Sequence, residues 1–235
     1  MDRETLNLEQ LAFILQRDVR EVSKMANRGH LPGQKVGGQW RFASAEINHW
    51  ISTQMPSYTH EELTSLETGV GKGVVHKQLL VTAYLTEQTM ALPLVAGTRS
   101  SVLRELVRLA EQSWQVYDAE TLLGAVMLRE DMASTAQENG VALPHPHRPN
   151  PAILGDSVIA FARTASAIPF GGNQGTLCDL FFLVCCRDHT THLRTLARLC
   201  RMLLRPNILD ELRAVETTAE AFQLLEAAER ELIEN

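Results

Sequence analysis

His145 is a side chain whose type and surroundings suit group-transfer chemistry. It follows Pro144 at the end of the apolar run Val141-Ala142-Leu143. Imidazole has an unperturbed pKa of ~6.5, so near neutral pH it is both a good nucleophile and a good leaving group. A neutral His145 can therefore attack a phosphoryl donor and later release the group to an acceptor. Pro144 fixes φ before the histidine and would hold the ring at a strand end.

Other interpretations of the same histidines stay open at this point. His145-x-His147 has the alternating spacing of some metal sites, but no Asp, Glu or His stands at motif spacing, and a strand would aim the rings oppositely. Cys185-Cys186-x-x-His189-x-x-His192 has zinc-binding residue types, although adjacent cysteines at a strand end rarely converge. His145 could also be an ordinary exposed loop histidine, and His192 an ordinary helix-start residue. We predict no metal site and no cofactor.

The elements that must position His145 alternate between helices and short apolar strands. This order predicts an α/β fold, in which a mixed sheet is flanked by helices. A capping box, Thr217-x-x-Glu220, opens the last helix. The predicted strands are 90–94, 141–143, 158–162 and 180–184, and the predicted helices are 102–114 (ending with Trp114), 118–127, 190–204 and 218–232.

Residues 79–235 resemble a known family. Arg129-Glu130, Ser134-Thr135, Gly140-Val141-Ala142-Leu143-Pro144-His145 and His192-Leu193-x-x-Leu196 occur in that order. This combination resembles the IIA domains of the bacterial phosphotransferase system, in the fructose/mannitol and nitrogen-regulatory branch. The resemblance implies that His145 accepts a phosphoryl group. It also implies that His192 is a second active-site histidine, which opens a helix beside the acceptor.

Phosphoryl transfer requires donors that balance the charge on the equatorial oxygens. We expect Arg129 to supply a guanidinium, His192 an N–H, and Ser134 and Thr135 hydroxyls or turn amides; Arg129 as a structural ion-pair partner stays an alternative. The sequence departs from the family pattern at Ala136-Gln137-Glu138, where Gly-Ile-Gly is usual, and at Pro146-His147-Arg148 after the acceptor. The lost glycines predict a changed loop backbone, and Glu138 adds negative charge.

The first 55 residues predict a small helical module. Asn7 and Gln10 form a capping-box pattern before a first helix, and a second helix after Asp18 is stopped by Gly29. Gly37-Gly38 predicts a two-residue hairpin turn, with Trp40 and Phe42 on one face of the strand that follows. Ser44 is the predicted cap of a third helix, whose buried stripe is Ile47, Trp50 and Ile51.

This order resembles the excisionase/MerR-like winged helix-turn-helix family. The resemblance rests on Leu8-x-x-Leu11-Ala12-x-x-Leu15, Val22, Arg28-Gly29-His30-Leu31-Pro32, 36–42 and Ile47-x-x-Trp50-Ile51. It implies that the second helix enters the major groove of DNA and that the hairpin wing touches the flanking backbone. The implied DNA-facing residues are Arg20, Ser23, Lys24, Asn27, Arg28, Lys35, Gln39 and Arg41. A module that is now used for protein contacts is the alternative.

Composition limits the class of protein. The chain has 235 residues, of which 45% are apolar, as is ordinary for a globular protein. Its net charge of −6 excludes a generally basic nucleic-acid binder. Residues 17–41, however, carry a local net charge of +4. We predict a winged helix-turn-helix over residues 1–55, a linker over 56–78 and a IIA-like domain over 79–235. The polar N-terminus and the four cysteines, three of which lie in apolar surroundings, predict a cytoplasmic protein with no membrane insertion.

Together these features favour a regulator. His145 would take a phosphoryl group from a histidine phosphocarrier protein, the N-terminal module would bind DNA, and a homodimer would be compatible with this arrangement. Two alternatives remain: a IIA component that relays phosphate to a sugar permease, and a degenerate IIA module that acts only by binding proteins.

Overall fold

A computed structural model describes residues 5–70, 78–171 and 175–234. Gly71, Lys72 and Gly73 of the predicted linker lie outside the described residues. The helices are α1 (Leu8–Leu15), α2 (Val19–Asn27), α3 (Ser44–Gln54), α4 (His60–Val70), α5 (Arg99–Glu111), α6 (Ala119–Met132), α7 (His189–Leu203), α8 (Ile208–Ala214) and α9 (Thr218–Glu234). The strands are β1 (Thr5–Leu6), β2 (Gln34–Val36), β3 (Gln39–Ala43), β4 (Met90–Leu94), β5 (Val141–Ala142), β6 (Val158–Gly171) and β7 (Thr176–Cys185).

The N-terminal module is a helix-turn-helix followed by a β-hairpin, as predicted. Asn7 and Gln10 exchange backbone-to-side-chain hydrogen bonds of 2.8 and 2.9 Å, which confirms the capping box at the start of α1. Gly37 and Gly38 have φ values of +59° and +81°, so the turn between β2 and β3 needs two residues that tolerate positive φ. The rings of Trp40 and Phe42 stack 5.8 Å apart on one face of β3.

The C-terminal module is a mixed α/β layer structure, which confirms the predicted fold class. Its sheet has the order β4-β6-β7-β5; β4 is parallel to β6, β5 is parallel to β7, and β6 and β7 are antiparallel. Alternate residues of β6 face opposite layers, because side chains alternate along a strand. Ala160 packs with the α5 and α6 side, and Phe161 packs with the side that holds α7 and α9.

Two predictions about helix ends were wrong. Ser44 is the first residue of α3 and not its cap; the cap position is Ala43, which makes no side-chain cap bond, and the Ser44 side chain is buried instead. Trp114 lies beyond the end of α5 with φ +60° and is 86% exposed, so it does not extend the buried stripe of that helix. The Ser44 side chain is placed by long-range packing, which the local pattern does not encode, whereas Trp114 is left outside because α5 ends before it.

The two modules share one hydrophobic core. Leu11 and Ile51 of the N-terminal module belong to the same buried cluster as Leu196 of α7. Helix α4, which lies within the stretch predicted as a linker, packs between α1 and α7 and buries Leu63 and Leu66. A Cβ atom on Gly69 of α4 would lie 2.6 Å from the carbonyl oxygen of Ile14, so only glycine permits this close approach of α4 to α1.

A buried ion network fixes α4 to α7. The carboxylate of Glu67 in α4 accepts hydrogen bonds from Arg198 and, at 2.8 Å, from Arg201 of α7. Arg198 also reaches Glu229 of α9 at 3.4 Å, and Glu229 accepts bonds from the backbone N–H groups of residues 80–82. Charges buried this completely need such partners. No helix in the described part of the chain combines the length and the apolar character needed to cross a membrane.

Candidate active site

His145 is held at the end of β5 by backbone contacts to the neighbouring strand. Val141 pairs with Leu180 of β7, and two residues beyond the strand the carbonyl of Pro144 accepts a 2.9 Å hydrogen bond from the Val184 N–H. The Nδ1 atom of His145 lies 2.8 Å from the carbonyl oxygen of Leu143. A carbonyl can only accept, so Nδ1 carries the proton and Nε2 keeps the lone pair of a nucleophile.

The structure brings His192 next to His145, although 46 residues separate them in the chain. His192 lies in the first turn of α7, whose cap residue Asp188 accepts a 2.8 Å hydrogen bond from the Thr191 N–H. The two ring centroids are 4.9 Å apart. Both residues are buried, and burial lowers the pKa of His145 well below its usual range and that of His192 to about 4. Both imidazoles are therefore neutral at pH 7.

Arg129 supplies a buried cation close to both histidines. It is 2% exposed and donates a 2.6 Å hydrogen bond to the carbonyl of Ala133, while its other terminal nitrogen lies 3.4 Å from the Ser52 hydroxyl. Among the described residues Arg129 has no carboxylate within ion-pair distance, and its Nε has no hydrogen-bond partner. This geometry does not support the structural ion-pair alternative, and it leaves the guanidinium able to bind an anion.

Ser134 and Thr135 line the same cavity as His145, and a neighbouring carboxylate holds them. The hydroxyls of Ser134 and Thr135 and the Thr135 N–H all donate to Glu130, at 2.7 to 2.8 Å. Glu130 is 2% exposed. Sequence reasoning noted Glu130 only as part of a motif and assigned it no role. Its position one residue after Arg129 and four before Ser134 was the available signal, since side chains four apart meet at a helix end.

The cavity at His145 has a volume of about 220 Å³. Arg129, Ser134 and Thr135 contribute its polar wall, and Leu143 and Leu196 contribute apolar wall. A single water occupies ≈ 30 Å³ in the liquid, so this space is ample for a phosphoryl group. The N-terminal module also contributes to the wall, through Ser52, Thr53, Met55 and Pro56.

The altered loop at residues 136–138 has an ordinary backbone. None of Ala136, Gln137 and Glu138 has a positive φ, so the residues that replace the family glycines are not in a conformation that requires glycine. Ala136 bridges to Ala142, and the Gln137 N–H donates a 2.8 Å bond to the Val141 carbonyl. Glu138 is exposed and does not line the cavity.

Among the described residues, Cys200 lines the cavity at His145, whereas His147 and the pair Cys185–Cys186 do not converge on it. The His147 ring lies 5.1 Å from that of His49 in α3, whereas the ring beside His145 is that of His192. Cys185 and Cys186 pack on opposite sides of the sheet. All four cysteines are free and buried, as expected for inert thiols, and burial raises the pKa of Cys178 to about 11 and of Cys200 to about 12.

The predicted DNA-facing residues form an accessible surface on α2 and the hairpin. Helix α2 packs on α1, whereas α3 packs on α7, so contact between the modules leaves α2 open. The Nζ of Lys35 lies 5.2 Å from the centroid of the Trp40 ring, and Arg41 donates a 3.0 Å bond to Gln39. Arg20, Lys24, Asn27, Arg28, Lys35 and Gln39 are exposed, and Ser23 and Arg41 are half-buried.

Comparisons with known proteins agree with both modules. A fructose-specific EIIABC component of the phosphotransferase system from Bacillus subtilis is 27% identical over 139 residues, which are 58% of this chain and 21% of that protein. The chain thus spans about a fifth of that relative's length. A nitrogen regulatory protein from Pseudomonas aeruginosa is 26% identical over 131 residues, 55% of this chain and 83% of that protein.

The nitrogen regulatory protein IIA-Ntr from Neisseria meningitidis has a similar fold. Its structure superimposes with a TM-score of 0.55 at 22% identity and covers 63% of this chain and 99% of its own. A helix-turn-helix domain model matches residues 5–55. The model of the phosphoenolpyruvate-dependent sugar phosphotransferase system EIIA 2 matches residues 83–228. The chain therefore belongs to the EIIA 2 family of the phosphotransferase system and carries an N-terminal helix-turn-helix domain.

Proposed function

We propose that this protein is a cytoplasmic regulator that accepts a phosphoryl group on His145 from a histidine phosphocarrier protein and binds DNA through its winged helix-turn-helix. One observation carries the first half of the proposal. His145 is a neutral imidazole with its Nδ1 proton fixed on the Leu143 carbonyl, and it shares a cavity with Arg129, Ser134 and Thr135.

The geometry supports an in-line transfer between two imidazoles. The Nε2 lone pair of His145 attacks phosphorus, and the bond from phosphorus to the donor nitrogen breaks, so that the donor ring leaves as neutral imidazole. The His145 ring gains positive charge as the new bond forms, and the Leu143 carbonyl, 2.8 Å from Nδ1, stabilises that charge. Arg129 balances the negative equatorial oxygens.

The acceptor assignment is tested by labelling with a phosphorylated histidine carrier. We expect His145→Ala to abolish acid-labile, base-stable labelling, because among the described residues no other histidine lines the cavity. His147→Ala is the matched control and should label normally, since its ring packs on His49. Undiminished labelling of His145→Ala would refute the assignment, and no labelling of the unmodified protein by any carrier would favour the degenerate module.

The DNA half of the proposal is supported by the exposed basic residues of α2 and the wing, on a chain that is acidic elsewhere. Selection from random duplexes should yield a preferred site, and a palindrome is expected if the protein is a dimer. Binding should weaken with salt with a log–log slope of ≈ −0.9 per neutralised phosphate. Arg41→Ala should weaken binding to all sequences alike, whereas Arg20→Ala should also relax sequence preference. Salt-insensitive or undetectable binding would leave the module as a protein-docking domain.

A further inference from the structure

Helix α3 carries a polar stripe that the C-terminal module buries. Ser44, Asn48 and Ser52 are four residues apart and therefore lie on one face of the helix. They are only 7% to 8% exposed, although Ile47 and Ile51 already supply the apolar face of the helix, which packs into the core that the two modules share. Small polar residues at this spacing are typical of a solvent-facing surface, yet here they lie against α7.

This stripe and the turn that follows it cover the acceptor site. Ser52 and Met55 form part of the wall of the cavity that contains His145, and the Ser52 hydroxyl lies 3.4 Å from Arg129. At the rim Glu46 of α3 lies 3.7 Å from Arg148, which follows the acceptor by three residues. With these residues in place His145 is only 3% exposed.

The contact through α3 differs in kind from the contact through α4. Helix α4 is fixed to α7 by buried leucines and by the ion pairs of Glu67. The α3 contact combines Ile51 and Met55 of the shared core, a ring contact between His49 and His147, and the short polar stripe. It leaves the buried Asn48 Nδ2 and Arg129 Nε without hydrogen-bond partners among the described residues. Unpartnered buried donors weaken a contact. The α3 contact is therefore the one that can open while α4 stays in place.

We propose that α3 is a removable cap on His145, and that α3 and the phosphocarrier compete for the same face of the C-terminal module. The inference rests on the proposed function, since it describes how a donor reaches His145. Transfer requires the donor nitrogen, phosphorus and Nε2 to come into line at near-contact distance. A histidine on the surface of a carrier protein can reach a 3% exposed imidazole only after α3 has moved aside.

The cap links phosphorylation to the position of the N-terminal module. Only the uncapped fraction of molecules can react with the carrier, so the observed rate is the intrinsic rate reduced by that fraction. By the same linkage, carrier binding favours the uncapped arrangement. Because the basic residues of α2 stay exposed in the capped state, the cap controls access to His145 and does not itself cover the DNA-facing surface.

The test uses full-length variants that disturb the cap at the buried stripe and at its rim. Asn48→Lys and Asn48→Glu place opposite charges in the buried stripe, so an effect with the same sign in both reports on docking and not on local charge. Gln54→Lys adds the same charge at an exposed position of α3 and is the matched control. Glu46→Lys breaks the rim pair with Arg148 at a partly exposed site, and adding Arg148→Glu should restore it.

Two readouts separate the cap from the chemistry. Diethyl pyrocarbonate acylates neutral imidazoles, and its rate at His145 relative to the exposed His30 in the same molecule measures accessibility. Phosphoryl uptake from a phosphorylated histidine carrier measures function. A minor open state of 1–10% predicts that both Asn48 variants react about 10-fold or more faster in both assays. Glu46→Lys should give a smaller increase that the charge-swapped pair reverses, and Gln54→Lys should match the unmodified protein.

Each outcome is decisive. Equal acylation of His145 in the unmodified protein and in folded Asn48 and Glu46 variants would show that α3 is not a cap, and phosphoryl uptake would still test the acceptor assignment. If the Asn48 variants are acylated faster but no variant takes up a phosphoryl group, the proposed function is refuted. The proposed competition between α3 and a carrier is then refuted as well. Faster acylation with unchanged uptake would show that α3 does not control donor access.

Discussion

Glu130→Gln is the substitution that best tests how the acceptor site is held together. The Glu130 carboxylate accepts three hydrogen bonds from Ser134 and Thr135. Glutamine keeps one acceptor oxygen, and the Thr135 hydroxyl can rotate to accept from the new amide. What is lost is the charge assistance of the remaining bonds, ~1 kcal/mol each, so we expect a loss of about 2 kcal/mol in the free energy of unfolding.

The expected loss is measurable in two assays. For a chain of this size 1 kcal/mol corresponds to ≈ 2–4 °C, so thermal unfolding of Glu130→Gln should shift down by about 4–8 °C. Glu130→Ala removes the acceptor of all three hydrogen bonds and should cost about 4 kcal/mol. Because Ser134 and Thr135 line the cavity, phosphoryl uptake should also slow, by about tenfold if ~1.4 kcal/mol of the loss falls on the transition state.

Glu138→Gln is the matched control, since it removes the same charge from an exposed position in the same loop. It should leave both the melting temperature and the uptake rate unchanged. If Glu130→Gln has the same melting temperature and the same rate of phosphoryl uptake as the unmodified protein, Glu130 does not hold the acceptor site together. The loop would then be held by its backbone bridges near Ala142.

Three further predictions concern stability and the loop. As the pH falls from 7 to 5, a histidine in the unfolded chain, with a pKa of ~6.5, binds a proton, whereas His192 in the folded protein, with a pKa of about 4, does not. The free energy of unfolding, measured in urea, should therefore fall by about 2 kcal/mol over this range because of His192 alone. In His192→Asn this part of the pH dependence should be absent. Gly69→Ala should lower the free energy of unfolding by about 1–3 kcal/mol, because the added Cβ pushes α4 away from α1. The control Gly124→Ala, in open space on α6, should raise the free energy of unfolding by up to ~1 kcal/mol. Restoring Gly-Ile-Gly at residues 136–138 should lower the free energy of unfolding by about 1 kcal/mol, because glycine increases the entropy of the unfolded chain. The rate of phosphoryl uptake should change less than twofold, because the present backbone is unstrained. A tenfold gain in that rate would show that the loop limits transfer.

Local sequence signals predicted the elements well where the structure depends on neighbours in the chain. The Asn7–Gln10 capping box, the Gly37-Gly38 turn and the Thr217–Glu220 box are all formed by residues within four positions of each other. Residue spacing could not predict that His145 and His192 lie side by side, since 46 residues separate them. That prediction rested on the family resemblance, and the structure brings the two rings together.

The features that sequence reasoning missed are all long-range. Glu229 reads as an exposed position of a surface helix, yet it is fully buried because it accepts bonds from the backbone of residues 80–82. Sequence analysis assigned no role to Asn48 and Ser52, because small polar residues beside the apolar stripe of Ile47 and Ile51 carry no sign of burial. Their burial depends on α7, which no pattern within α3 can reveal.

Helix α7 connects the acceptor site to the contact between modules, and this decides which residues can test the cap. Its first turn presents His192 to His145, and two turns later Arg198 binds Glu67 of α4 and Glu229 of α9. Removing one partner of a buried ion pair typically costs about 3–5 kcal/mol, because the other charge is left uncompensated. A Glu67 variant would therefore disturb α7, and with it His192, so slower or faster uptake could not be assigned to docking. Asn48 makes no ion pair, so replacing it leaves no buried charge without its partner. It borders the first turn of α7 beside His189 and Leu193, and the Glu46–Arg148 pair at the rim therefore supplies a second variant that does not enter the stripe.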